Sequence, residues 1–346
     1  MTLTTGPRNL ITDVSGIAVG QAADETIRTG VTVIVPADRA ACAVDTRGGA
    51  PGTRETDALQ PSCLVDEVDA VFLSGGSVHG LDAGSGLVEA LAAQGKGVRL
   101  VEGVPPSPVV PGAILFDMAN GGDKDWAENP YRGLARQALA QAGPDVALGN
   151  AGAGYGARAG GLKGGTGSAS FVTSDGFEIG ALMAANPLGS MLMPGTDTFW
   201  AWPFERDGEF GGQRPGAPAD VQGWPDDTKF GPGVESMFVA QPGGNTSIGL
   251  VATNADLTVA ECQRVAIMAH DGLARAVRPV HTPFDGDTIF VLATGRHALQ
   301  GPRPFHVARL GNLAADCVAR AMARGVYEAA TLGDAVSYRD TKKAAS

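Results

Sequence analysis

Gly30 to Pro36 (GVTVIVP), Ala41 to Asp45 and Ala70 to Ser74 (AVFLS) are apolar or β-branched runs bounded by breakers, and they predict short buried strands. After Gly80 the spacing becomes helical. Leu81, Gly84, Leu87, Val88, Leu91 and Ala92 recur on one stripe as far as Gly95, so the strand at 70–74 turns into a helix through GGSVHG, with Gly84 marking close packing. Asn129 as N-cap and Pro130 as first helical residue predict a helix over 130–142. Two extended runs around a Ser-Asp-Gly turn predict a hairpin over 168–184. Ser247 to Thr253 reads as a strand leading into a helix that opens with the capping box Thr258-x-x-Glu261. Its buried stripe is Cys262, Val265, Ala266, Ala269, Leu273 and Ala276, and Pro279 closes it. Thr288 to Thr294 is another strand, Val307 to Tyr327 a last long helix, and the tail after Arg339 is expected to fray.

One segment breaks this alternation. Over 198–235 there is little periodicity, much proline and glycine, and a concentration of large aromatics: Trp200, Trp202, Phe204, Phe210 and Trp224. Such a segment packs on a neighbouring subunit, roofs a pocket, or forms a surface Ω-loop.

At 346 residues the chain suits one large domain or two ordinary ones. A net charge of −11, with no basic stripe, argues against nucleic acid and against an anionic membrane surface. No apolar window is long enough to span a bilayer, and Met1 to Gly20 has no apolar leader core. Cys42, Cys63, Cys262 and Cys317 are scattered without a C-x-x-C, so buried reduced thiols and a cytoplasmic location are expected. Charged residues are only 18% of the chain, which leaves apolar surface for a homo-oligomer to cover. Glycine is the compositional anomaly: 50 residues, clustered where apolar runs end, a pattern that suits a site walled by main chain.

The candidate chemistry sits in those clusters. Gly75-Gly76-Ser77-Val78-His79-Gly80 has the strand-turn-helix context of a nucleophile elbow but carries His79 where the motif needs glycine. Gly76, Ser77 and His79 are therefore expected to line a substrate pocket at a helix N-terminus with free N–H groups, rather than to supply a nucleophile. The run Gly160 to Gly167 lacks Walker spacing after Lys163, so no nucleotide is expected, and Lys163 points either to solvent or into a cavity. His281-x-x-x-Asp285-x-Asp287 lacks the further ligands a metal hydrolase needs; an acidic turn entering a strand is the alternative, and neither metal nor cofactor is expected. In Gly243-Gly244-Asn245-Thr246-Ser247, small residues precede a hydroxyl residue that opens a strand. That arrangement suits attack of Thr246 Oγ1 on the Asn245 carbonyl, which would free a Thr246 α-amine able to act as base to its own hydroxyl, although it also makes a good turn.

Arg47 to Asp57 (RGGAPGTRETD), Ser74-Gly75-Gly76-Ser77, Lys163-Gly164-Gly165, Ala185-Asn186-Pro187, Gly244 to Gly249 (GNTSIG) and Asp285-Gly286-Asp287-Thr288 occur in this order along the chain. Together they resemble the self-cleaving S58 peptidases, which include L-aminopeptidase/D-esterases, β-peptidyl aminopeptidases and nylon-oligomer hydrolases. The resemblance implies an α/β (α+β) fold: a layered αββα N-terminal-nucleophile sandwich forming a single compact domain, cut into 1–245 and 246–346. It makes Thr246 the nucleophile and Asn245–Thr246 the autocleavage bond. Asn186 becomes an oxyanion donor, Lys163 the group steadying the Thr246 hydroxyl and amine, and Asp285 and Asp287 the carboxylates orienting Thr246 and Lys163. Threonine with two aspartates resembles the nylon-oligomer branch more than members that use serine with a Ser/Glu pair. Small peptides or linear amide oligomers are the implied substrates, and a tetramer of processed units the implied assembly. Transfer of the acyl group to an amine, as in ornithine acetyltransferase, is the alternative among enzymes, and a non-catalytic binding protein the alternative outside them.

Overall fold

The structure is a computed structural model that describes residues 2–216, 223–231 and 244–345. In chain order the strands are β1 (Leu3–Thr5), β2 (Ile17–Asp24), β3 (Thr29–Pro36), β4 (Ala40–Thr46), β5 (Thr53–Arg54), β6 (Glu67–Val68), β7 (Val71–Ser74), β8 (Gly112–Ile114), β9 (Arg158–Ala159), β10 (Leu162–Lys163), β11 (Gly165–Thr173), β12 (Glu178–Ala185), β13 (Ile248–Ala255) and β14 (Thr288–His297). The helices are α1 (Ala83–Ala93), α2 (Tyr131–Ala140), α3 (Val259–Ala276), α4 (Arg303–Tyr327) and α5 (Tyr338–Ala345).

Two sheets pack face to face. The larger runs β1-β11-β12-β13-β14-β4-β6 and the smaller β2-β3-β7-β8-β5. Strand alternation assigns each side chain to a layer. On β13 and β14, Ile248, Leu250, Ala252, Phe290 and Leu292 face the other sheet and meet Ile34, Val71 and Leu73 there. Val251, Ile289 and Val291 face the opposite way, onto Val265, Ala269, Leu310 and Cys317 of α3 and α4. Val31, Val33 and Phe72 of the smaller sheet pack under Leu87, Leu91 and Leu134 of α1 and α2. The layers are therefore helix, sheet, sheet, helix in a single compact domain, as the resemblance implies.

Local signals explain most elements. The Thr258 side chain accepts from the Glu261 N–H while the Glu261 carboxylate accepts from the Thr258 N–H (2.8 Å), so the capping box starts α3, and all six predicted stripe residues are buried. A Cβ at Gly84 would meet Arg54 Cδ at 2.8 Å and Phe72 Cε1 at 2.9 Å, the close packing its position predicted. The hairpin turn carries Gly176 at φ +88°, where a side chain would be strained. Asn129 caps α2 by accepting the Tyr131 N–H at 2.9 Å, with Pro130 at the cap rather than inside the helix.

Two expectations are corrected. The tail does not fray from Arg339: α5 runs to Ala345, anchored by Tyr338, which is 1% exposed and donates its hydroxyl to the Asp197 carbonyl at 2.8 Å. Cys63 is exposed, unlike the three other thiols, because it lies in an irregular turn rather than on a packed element. The aromatics of the 198–235 segment differ in burial. Phe199 and Phe210 are buried within the subunit, edge to face at 5.6 Å, whereas Trp224 is 39% exposed. No described helix is long and apolar enough to cross a membrane.

Candidate active site

Strand direction gathers the predicted site residues. β12 runs antiparallel to β11 and β13, and β13 parallel to β14, so the start of β11, the end of β12 and the starts of β13 and β14 all lie at one end of the large sheet. Lys163, Asn186, Thr246, Asp285 and Asp287 occupy or flank those ends. The glycine run after β4, antiparallel to β14, joins them there: Ala50 N–H donates to the Asp285 carbonyl at 2.8 Å.

Thr246 is 2% exposed. Its Oγ1 lies in close contact with the Asn245 carbonyl oxygen. That oxygen also accepts the Gly286 N–H at 2.9 Å, while the Thr246 N–H donates to the Asn186 carbonyl at 2.9 Å. Asp287 Oδ1 accepts the Ser247 N–H at 2.8 Å, and its Oδ2 meets His281 Nδ1 at 2.8 Å. Asp285 accepts the Leu188 N–H through Oδ1 (3.1 Å) and the Thr282 N–H through Oδ2 (3.0 Å). Both carboxylates are 1% exposed. Burial, followed by the Asp287 charge, raises the Asp285 carboxyl above its usual range.

Lys163 is fully buried, and its Nζ donates to the Gly164 carbonyl at 2.7 Å. Burial lowers its ammonium to about 7, opposed by the charge of Asp117. Asp117 is itself raised by burial and is held by the Gly76 N–H (2.8 Å) and Thr29 Oγ1 (2.7 Å). The electrostatic partner of Lys163 is thus Asp117. The two carboxylates at 285 and 287 instead act on Lys229, whose ammonium burial also lowers to about 7. Lys229 Nζ donates to the Asn186 carbonyl at 2.9 Å and to Asn186 Oδ1 at 3.0 Å; Oδ1 also accepts the Arg158 N–H at 2.9 Å. Asn186 Nδ2 is thereby turned toward the Phe116 carbonyl, at 3.3 Å.

A cavity of about 140 Å³ opens beside these groups, lined by Asp117, Arg158, Lys163, Asn186, Lys229 and Gly244 among others. Thr246 is not among its lining residues and is joined to it through the Asn186 carbonyl, which accepts the Thr246 N–H. Gly76, Ser77 and His79 do not line it. The expected free N–H groups are engaged, Gly76 with Asp117 and Ser77 with the Leu115 carbonyl at 2.9 Å. Ser77 instead faces a separate open groove with Pro51, Val78 and Leu81, and exposed His79 packs against Trp126 at 6.0 Å. Gly243 lies outside the described residues.

Sequence reasoning missed Asp117, Arg158 and Lys229, and weighed His281 only as a metal ligand, whereas it bonds Asp287. The sequence does mark Asp117 as the charge that ends the apolar run 112–116. Lys229 has no local signal, since it falls in the aperiodic segment.

Two face-packed sheets between helical layers, with polar side chains gathered at one end of the larger sheet, define a fold of the N-terminal-nucleophile hydrolase class. The chain belongs to peptidase family S58, whose model matches residues 9–337. It is 42% identical over 358 aligned residues to an uncharacterized aminopeptidase of Mycobacterium tuberculosis, covering 96% of this chain and 97% of the relative. It is 31% identical to a 6-aminohexanoate-oligomer endohydrolase of Kocuria sp., covering 84% of this chain and 76% of that one. Among solved structures, the Burkholderia sp. beta-aminopeptidase matches with TM-score 0.72 at 21% identity, over 99% of this chain and 96% of that one. The L-aminopeptidase D-Ala-esterase/amidase of Ochrobactrum anthropi, described as a variant of the Ntn hydrolase fold, matches with TM-score 0.68 at 22% identity, over 99% and 95%. Family membership makes the chain a peptidase or amide hydrolase.

Proposed function

We propose that this chain is a self-processing hydrolase whose nucleophile is Thr246 and whose substrates are small peptides or linear amide oligomers. The observation that carries this reading is the contact of Thr246 Oγ1 with the Asn245 carbonyl, whose oxygen the Gly286 N–H polarises from 2.9 Å. Attack of Oγ1 on the Asn245 carbonyl carbon forms an ester as the peptide C–N bond breaks, and the hydroxyl proton passes to the departing nitrogen. Water then hydrolyses the ester, leaving the Asn245 carboxylate and a free Thr246 amine. That amine takes the hydroxyl proton in each later turnover. A substrate acyl group is transferred to Oγ1, the amine returns the proton to the leaving group, and water releases the acid. Asn186, whose Nδ2 donates to the Phe116 carbonyl at the cavity wall, supplies the side-chain donor that would receive the oxyanion. Asp287 fixes the backbone on the far side of Thr246 through the Ser247 N–H.

The names of the relatives, aminopeptidase and 6-aminohexanoate-oligomer endohydrolase, support the substrate class. Exposed Leu64, Val78, Leu100 and Val101 support a homo-oligomer, a tetramer of processed units by family resemblance, and the four unpaired cysteines support a cytoplasmic location. Mass spectrometry of the denatured protein tests the core claim. Cleavage gives 245 and 101 residues, about 25 and about 10 kDa when 35.1 kDa is divided over 346 residues. Amide hydrolysis by protein whose sole N-terminus is Met1 would refute it.

A further inference from the structure

The 223–231 stretch of the aromatic segment is pinned against the site from several sides. Lys229 N–H donates to the Leu188 carbonyl (3.0 Å), Gly161 N–H to the Asp227 carbonyl (2.7 Å), and Ser190 Oγ to the Asp227 carboxylate. Phe230 meets Phe284, the residue before Asp285, edge to face at 5.4 Å. The Lys229 ammonium is thereby delivered to both oxygens of Asn186. One of them, the main-chain carbonyl, also accepts the Thr246 N–H. Each nitrogen is 2.9 Å from the shared oxygen, so the two stand at most twice that distance apart.

We propose that Lys229 is a positioning residue of the hydrolase: by holding Asn186 Oδ1 it keeps Nδ2 as the donor of that amide, and its charge keeps the Thr246 amine unprotonated. The proposal rests on Thr246 being the nucleophile. Without the Lys229 ammonium, Asn186 Oδ1 keeps only the Arg158 N–H as donor, so the side chain is held less firmly against a rotation that would present an acceptor where the oxyanion forms. A cation within a few ångströms of an amine disfavours the charged form of that amine, which is the form unable to act as base. The other charges facing Lys229 are Asp285, Asp287 and Arg158, with Lys163 and Asp117 across the cavity. The two carboxylates hold the Lys229 charge in place, while burial and Arg158 oppose it and bring it to about 7. The charge is therefore present over the acid range in which the Thr246 amine would otherwise bind a proton.

The test uses the processed full-length protein with a linear 6-aminohexanoate trimer and alanine p-nitroanilide as probes. Lys229→Met is expected to lower kcat about tenfold or more with KM within about twofold. Loss of the cation raises the amine pKa, so the acid limb of kcat/KM moves to higher pH by roughly half a unit to one unit. Lys229→Arg keeps the limb in place. Lys229→Gln keeps a donor without the charge, restoring part of kcat while leaving the limb raised. Should Lys229→Met not process, the Arg and Gln variants carry the comparison, and equal limbs in both overturn the proposal, as does a Lys229→Met enzyme with unchanged kcat and limb. Thr246→Ala separates the two levels. If it is inactive and uncut while the Lys229 variants are unaltered, this inference alone fails; if it is cut or active, the assignment of Thr246 fails first.

Discussion

Gly286 stands where a side chain would disable the site. A Cβ there would lie 2.8 Å from Thr246 Oγ1 and 2.7 Å from the Ala50 carbonyl, so the hydroxyl would be driven off the Asn245 carbonyl it must attack. No positive φ is involved, and alanine could adopt the backbone, so the penalty falls on those two contacts, the Ala50 main chain and the Thr246 hydroxyl both having to give way. Gly286→Ala is expected to fold and to process at least about tenfold more slowly, since a displacement near 1 Å can cost far more than that. The appearance of the two fragments on a denaturing gel measures it, and processing at the wild-type rate would remove Gly286 from the machinery. The same turn illustrates what can be read from sequence. Asp285-Gly286-Asp287-Thr288 was visible as a motif, but not that both carboxylates accept from neighbouring backbone, nor that their charges are felt at Lys229 while Lys163 feels that of Asp117. Motifs name residue types; which cation faces which anion is decided by how strands from distant parts of the chain align.

Elements were legible where their signals are local. The α3 stripe and its capping box follow from a periodicity and a cap of a few residues, and the 165–185 hairpin from its turn. β2 was not visible: IAVGQAAD lacks β-branched density, and it becomes a strand by pairing along its whole length with β3. The aromatic segment was opaque for a different reason, because what orders it lies on other elements. Its 199–210 part is tied to α4 through Glu209, which pairs with Arg320 at 2.6 Å and accepts from Asn9 Nδ2 at 2.6 Å. Arg320 is fully buried and also lies over the Phe171 ring at 4.5 Å. Removing one charge from such a pair leaves the other buried and uncompensated. Glu209→Gln should therefore lower the unfolding free energy by roughly 3 kcal/mol, seen as a lower urea midpoint at an unchanged m value. An unshifted midpoint would mean that this clamp adds nothing to stability.

For the molecule as a whole, the order β12-β13-β14-β4 sets what cleavage at 245–246 would do. β13 and β14, with α3 and α4, belong to the 101-residue piece, yet they lie between strands of the 245-residue piece. A cut there opens no seam on the surface, because β13 stays hydrogen-bonded to β12 and β14 to β4. The halves should remain one particle until denatured. Returning from the unfolded state is another matter. The uncut Thr246→Ala chain carries all the interior strands of its large sheet and should refold at a rate independent of concentration. The processed protein must first find its other half, and its refolding half-time should lengthen in proportion to dilution. Equal half-times for both over a tenfold dilution would contradict this account. The mature enzyme would thus hold a shape that only its precursor reaches alone, and its working lifetime would be set by the rate at which it opens rather than by the ease with which it reforms.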